Sequence, residues 1–400
     1  MNAHSSQDLT NRRRARVVGH RSRHFQISVM LTVAVWSIAL SFFSFALWFI
    51  ALGALFRAFL LSGKRNSHSE LPTLRDFAIA AGLFALLVTQ AIWGAMNEYY
   101  NLDEILFVGV SVPLAILLSK RRVNPVLSWI PFFATAAYFF TLVMLGESID
   151  NLLPQNSRNF LSVILIGLFA SAIVLSKPDR VNAIHIGAAL LVLWFSIISI
   201  GRSGIISSFI LALLLIALRM FSGPSSWKKR LLSTVVLISI TIAFFTSLDQ
   251  IMESVPRLAS RGFHDYSRNF IHMTFFRELE GPSFIFGKNY FQIFQLHRYN
   301  YNLHSSYLSA WANLGLIYTL TVIFCIGRSL ISMKSLPVIW VALVALGLRA
   351  STDIQMIGAK FDYVFLVMLF LTAKNPTAAA QPRRRLIPHK PEHRGTASDG

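Results

Sequence analysis

The sequence predicts an all-α protein, a polytopic membrane helix bundle of about 12 spanning helices with one large outer loop. Three observations predict it. Of 400 residues, 54% are apolar and only 14% are charged, too few charges to cover a water-exposed surface; mean hydropathy is +0.55. The apolar residues gather in runs of about 20, the length that crosses the roughly 30 Å hydrocarbon core of a bilayer. The connections between runs also alternate between basic and non-basic, the pattern that keeps basic loops in the cytoplasm.

In chain order, residues 1–26 form a basic cytoplasmic segment with Arg12, Arg13, Arg14, Arg16, Arg21 and Arg23. The apolar run from Ile27 to Leu61 is too long for the core of a cleaved signal peptide and reads as a retained anchor. It has room for two helices, at 27–43 and 45–61. Further spans follow at 77–95, 105–119, 126–145, 159–176, 182–200, 204–220, 231–247, 305–327, 336–350 and 361–373. The transmembrane domain therefore covers 27–373, and the polar, basic tail 374–400 has the composition of a disordered cytoplasmic segment.

Charge supports the same division. Lys64, Arg65 and Arg75 share one connection, Lys120, Arg121 and Arg122 another; Lys177 with Arg180, Lys228 with Lys229 and Arg230, and Arg328 with Lys334 follow at every second connection. The intervening loop 96–104 holds Glu98, Asp103 and Glu104 and no Lys or Arg. This places both termini in the cytoplasm and makes the span number even.

One connection departs from the short-loop pattern. The outer loop 248–304 is rich in Phe, Tyr, Arg and His and poor in Ser and Gly, a composition that argues for order. Within it, 265–281 reads as a helix, with Asp265 as N-cap and Gly281-Pro282 as the stop.

The composition also excludes function classes. A net charge of +19 would point to nucleic acid in a soluble domain, but here the basic residues sit in short loops and tails, so membrane orientation accounts for them. Cys325 is a lone cysteine inside an apolar run, so neither an intrachain disulfide nor a cysteine metal site exists. No phosphate loop, zinc-protease helix or nucleophile elbow is present, and no metal or cofactor is expected.

The unusual residues collect on the outer side. Arg202, in Ile200-Gly201-Arg202-Ser203-Gly204, breaks the positive-inside rule. It is either a snorkelling arginine at a helix end or an anion site with small neighbours that let a ligand approach. In the loop, Arg261 and Arg268 stand among acidic neighbours, and Arg268 lies one helical turn from His272. His304 opens the next span, as a structural cap or as a proton acceptor near neutral pH. Arg349 and Asp353 are spaced for an ion pair, and Asn159 for a helix cap. Helix interiors are almost free of charge, with Arg57 the main exception.

Leu303-His304-Ser305-Ser306-Tyr307-Leu308, continuing to Trp311-Ala312-Asn313-Leu314-Gly315-Leu316-Ile317, resembles a signature of the bacterial O-antigen ligase and polysaccharide polymerase superfamily. There a His-Asn-x-Tyr/Phe-Leu stretch closes a large outer loop and runs into a helix with Gly-Leu-x-Gly. Ser305 stands where that family has Asn. Gly201-Arg202-Ser203-Gly204 resembles the family's Ser-Arg-Gly at an outer helix end, and Arg268 through Gly287 its Arg…Pro…Gly-x-Gly loop segment. The similarity covers 195–325.

The resemblance implies a metal-independent glycosyltransferase. A glycan on undecaprenyl diphosphate would be transferred to a glycan or lipid acceptor, with Arg202 and Arg268 neutralising the departing diphosphate and His304 activating or positioning the acceptor hydroxyl. Arg261, His272, Arg349 and Asp353 are accessory candidates. Within that reading a repeat-unit polymerase is preferred to an O-antigen ligase, and a chain-length regulator is a candidate partner beside the lipid bilayer. The competing class is a transporter or flippase of lipid-linked sugars, which would place charges near the bilayer midplane and show repeated halves.

Overall fold

The computed structural model describes residues 24–35, 53, 55–58, 72–98, 102–148, 152, 159–199, 201–221, 227–254, 266–299, 301–331, 336–353, 357, 359 and 361–371. The compact unit is Met1–Phe370; Leu371–Gly400 forms a second unit, of which only Leu371 is described. The described secondary structure is entirely helical. It comprises α1 (His24–Val35), α2 (Leu74–Met96), α3 (Leu102–Lys120), α4 (Pro125–Met144), α5 (Phe160–Ser176), α6 (Ala183–Ile198), α7 (Arg202–Phe221), α8 (Trp227–Ser254), α9 (Tyr266–Arg277), α10 (Ser283–Phe286), α11 (Ser306–Ile331), α12 (Pro337–Ala350) and α13 (Asp362–Phe370). Two 3-10 turns, Tyr290–Gln292 and Phe294–Tyr299, follow α10.

Five of these helices, α2, α3, α4, α7 and α11, are long and apolar enough to cross a membrane. Shorter apolar helices coincide with most of the other expected spans. The architecture is consistent with a helical membrane protein. On α2, Ala80, Leu83 and Leu87 face the bundle while Phe77, Phe84, Val88 and Ile92 remain exposed. A helix apolar on its exposed face needs an apolar solvent. The second expected span, 45–61, lies largely outside the described residues.

α5 is the central helix. Nearly every residue from Leu161 to Ser176 is buried, against α4, α6, α7, α12 and α13. The interior hydroxyls bond to their own helices: Ser171 to the Gly167 carbonyl, Ser196 to Val192 and Ser208 to Gly204. Such bonding lets polar residues sit in an apolar interior without an unsatisfied donor.

The basic connections meet at one end. Lys120, at the end of α3, forms a buried ion pair with Asp76 at the start of α2 (2.7 Å). Lys177 Nζ donates to the Ser119 carbonyl (2.6 Å), Arg219 to that of Val181 (2.7 Å), and Arg122 pairs with Asp179 (3.1 Å). Asp76 also closes a capping box with Thr73.

Three expectations need correction. The helix in the outer loop stops at Arg277, short of Gly281-Pro282, because Leu279 turns into the loop's own core and Glu278 pairs with Lys288 (2.7 Å). The outer loop begins later than 248, since α8 continues to Ser254. The helix in the last expected span, 361–373, is shorter than expected. α13 has nine residues, about 14 Å at the α-helical rise, and ends where Arg75 reaches the Leu369 carbonyl at the basic end. Its first residue, Asp362, is fully buried and accepts from the Ala359 amide (3.0 Å).

Breaking one partner of a buried pair leaves the other charge stranded. Asp76→Ala is expected to destabilise the fold by about 3 kcal/mol, and Asp76→Ala combined with Lys120→Met to lose less than the single change. Thermal unfolding in detergent measures both.

Candidate functional site at the non-basic end

Arg349 sits in the last turn of α12 with no exposed surface, and every N–H of its guanidinium is engaged. Nε donates to Ser162 Oγ (3.2 Å), Nη1 to Ser203 Oγ (3.1 Å) and Thr352 Oγ1 (3.2 Å), and Nη2 to the Asn159 carbonyl oxygen (3.0 Å) and the Asp353 carboxylate (2.7 Å). One side chain thus pins the start of α5, the start of α7 and the chain beyond α12. The expected Arg349–Asp353 pair forms, at one helical turn.

Arg202 is the first residue of α7, next to the Ser203 that Arg349 holds. The glycines around it have a packing role that spacing alone does not show. A Cβ on Gly204 would collide with Ser162, and one on Gly201 would lie 2.9 Å from Asn159 Oδ1. They bring α7 against α5, so ligand approach is not needed to explain them. Asn159 makes no side-chain cap for α5; its carbonyl serves Arg349 instead.

The outer loop docks onto the same end. The Ser306 hydroxyl donates to the Asp353 carbonyl, tying the start of α11 to the Arg349 cluster. His304, two residues earlier, has φ +50 and takes the Asn302 side-chain oxygen onto its amide (2.8 Å). A left-handed non-glycine residue is strained and needs support from its surroundings. Ser305 Oγ accepts from the Leu308 amide (3.5 Å), the capping role that an Asn would also fill. His272 Nε2 lies 3.1 Å from the Leu303 carbonyl oxygen, a bond it makes when that nitrogen carries the proton. Arg268, one turn before His272, lies within electrostatic reach of Arg349. The structure thus brings Arg202, Arg268, His272, His304, Arg349 and Asp353 to one end; Arg261 falls outside the described residues.

A second polar cluster lies beside this end, and it was missed in the sequence. Asn313 Nδ2 donates to Glu104 Oε1 (2.6 Å) across α11 and α3. The Tyr290 hydroxyl bonds the Asn313 and Ser309 side chains; burial, with the charge of Glu104 adding to it, pushes this phenol up to about 12. Trp93 Nε1 donates to the Gly287 carbonyl (3.2 Å) and Trp311 Nε1 to that of Phe284 (2.7 Å). Gly287 and Gly315, both at positive φ, permit this docking. A Cβ on Gly287 would strike the Trp311 and Ala312 carbonyls, and one on Gly315 would strike Gln90 and the Ile285 carbonyl. The available sequence signal was a carboxylate inside the first turn of an apolar run.

Compared with family models, with curated proteins and with solved structures, the chain matches none. The arrangement at this end therefore has to be read from its own chemistry.

Lysine keeps the charge of arginine but not its planar set of donors. Arg349→Lys is expected to lower the melting temperature, and Arg349→Ala to lower it further, by about 3–5 kcal/mol in stability, as the Asp353 carboxylate loses its partner. Differential scanning fluorimetry of the detergent-solubilised protein measures the order of the two.

Proposed function

We propose that the protein is a membrane glycosyltransferase of bacterial surface polysaccharide synthesis. It transfers a glycan from undecaprenyl diphosphate to an acceptor hydroxyl on the outer side of the inner membrane, as a repeat-unit polymerase. The observation that carries this reading is the gathering of Arg202, Arg268 and Arg349 with His272 and His304 at one end of an apolar bundle. The opposite end holds the basic connections, which the positive-inside rule assigns to the cytoplasm together with both termini.

The chemistry follows from the groups. The acceptor oxygen attacks the anomeric carbon, its proton passes to His304, and the bond from that carbon to the diphosphate oxygen breaks with the electron pair leaving on the diphosphate. Arg202 and Arg268 neutralise that developing charge. Arg349 has all its donors committed, so it holds the starts of α5 and α7 in register and does not bind the anion itself.

A transporter or flippase of lipid-linked sugars is the second reading. Asp362, a fully buried carboxylate, favours it, since interior carboxylates mark many transport pathways.

Arg202→Ala and Arg268→Ala are expected to insert and fold normally and to lose transfer of glycan from a purified lipid-linked donor; full activity in either removes that arginine from the mechanism. His304→Ala should lose transfer while retaining donor, and loss of expression instead would make it a structural residue. In cells lacking the gene, lipid-linked single repeat units facing outward identify a polymerase. Long polymer left on the lipid identifies a ligase, and units trapped on the cytoplasmic side a flippase.

A further inference from the structure

The outer loop reverses direction at residues 281–287, and this turn enters between α2 and α11. A Cβ on Gly315 would lie 2.4 Å from Gln90 Nε2 and 2.7 Å from the Ile285 carbonyl oxygen, so Ile285 reaches the level of both residues. Gln90 stands six residues before the end of α2, and Gly315 nine residues into α11. At the α-helical rise these are depths of about 9 Å and about 13 Å below the helix ends. Both helices are long and apolar enough to cross a membrane. A piece of the loop therefore sits at bilayer depth.

Backbone at that depth has no water to bond and needs partners within the protein. The segment has them. The amides of residues 283–287 all donate to carbonyls between Glu280 and Ser283. Two carbonyls left over by this turn are taken by indoles of the flanking helices. Trp311 Nε1 donates to that of Phe284 (2.7 Å) and Trp93 Nε1 to that of Gly287 (3.2 Å). The same rings pack on the segment, Trp93 stacked on Phe286 at 5.0 Å and Trp311 edge-on to Phe284 at 5.2 Å. The side chains that remain outside are apolar: Phe284 is 47% exposed and Ile285 44%. Val88 and Ile92 on α2 and Ile317 on α11, each two residues from the contacts at Gln90 and Gly315, are exposed beside them. The surface of the segment thus continues the faces that these two helices turn toward lipid.

We infer that residues 281–287 form a re-entrant segment of the outer loop, embedded in the outer leaflet. Phe284 and Ile285 lie against lipid acyl chains, and the Trp93 and Trp311 indoles hold the segment there. Such anchoring is independent of the reaction proposed above.

Full-length protein with Cys325→Ala carries one nitroxide at a time, at Phe284→Cys, Ile285→Cys, Gln295→Cys or His297→Cys, the last two being exposed polar positions of the same loop. In bilayers of phosphatidylglycerol and phosphatidylethanolamine, EPR power saturation compares collisions with oxygen, which concentrates in hydrocarbon, and with a water-soluble nickel chelate. Oxygen is expected to dominate at 284 and 285, and the nickel chelate at 295 and 297. Dominance of the nickel chelate at 284 and 285 places the segment in water and overturns the assignment. Few collisions with either reagent mean that a second copy covers it, which overturns the assignment as well. With Trp93→Phe and Trp311→Phe combined, the oxygen excess at 285 is expected to fall; an unchanged excess overturns the role of the indoles. Hydroxyl-radical footprinting of the unmodified chain in the same bilayers is expected to leave Phe284 intact, and its modification overturns the assignment without any cysteine substitution.

Discussion

A guanidinium removed from solvent has to find acceptors for all its donors, and Arg349 finds them on three separate stretches of chain. Much of the geometry at the non-basic end follows from that requirement. The start of α5 must present the Asn159 carbonyl and the Ser162 hydroxyl, and the start of α7 must bring Ser203 within 3.1 Å. That approach in turn requires glycine at 201 and 204. Arg202, the first residue of α7, is carried along beside the Ser203 that Arg349 holds. The Asp353 carboxylate offsets the charge, and its carbonyl anchors the start of α11.

The rest of the bundle obeys the same rule with weaker groups. Hydroxyls on α5, α6 and α7 return their protons to their own backbones, and the charged residues of the basic end are matched by carbonyls or by Asp76 and Asp179. Where apolar surface supplies no contrast between helix and solvent, close contact comes from small residues. Gly167 accordingly lies under Phe361 and Gly347 beside Tyr307 and Ile326. The outer loop solves a different problem. It has its own core, from Ile271 and Phe275 to Leu296 and Leu303, so it can fold as a lid of protein rather than of lipid.

The two ends are therefore chemically unlike. One is a set of satisfied ion pairs and carbonyl contacts suited to anchoring. The other carries guanidinium and imidazole groups, with an aromatic-rich loop folded onto it.

The sequence alone determined the helices and their order, because spanning length and hydrophobic period are local properties: α2 through α7 lie within a few residues of the expected runs. It also determined which connections share an end, since charge distribution along a chain is visible without coordinates. It named Arg202, Arg268, His304, Arg349 and Asp353 as the residues out of place in an apolar protein. The tertiary structure decided that Arg349 is committed to holding helix ends together. The spacing of Arg349 and Asp353 gave their pair but not the hydroxyls of Ser162 and Ser203, which come from other helices. Likewise, the apolar run 361–373 concealed a helix of nine residues, because hydropathy measures how apolar a segment is and not where its helix begins and ends. Asp362 is buried, and Glu104 meets Asn313, for the same physical reason: such contacts are fixed by packing between segments far apart in sequence, where no local pattern records them.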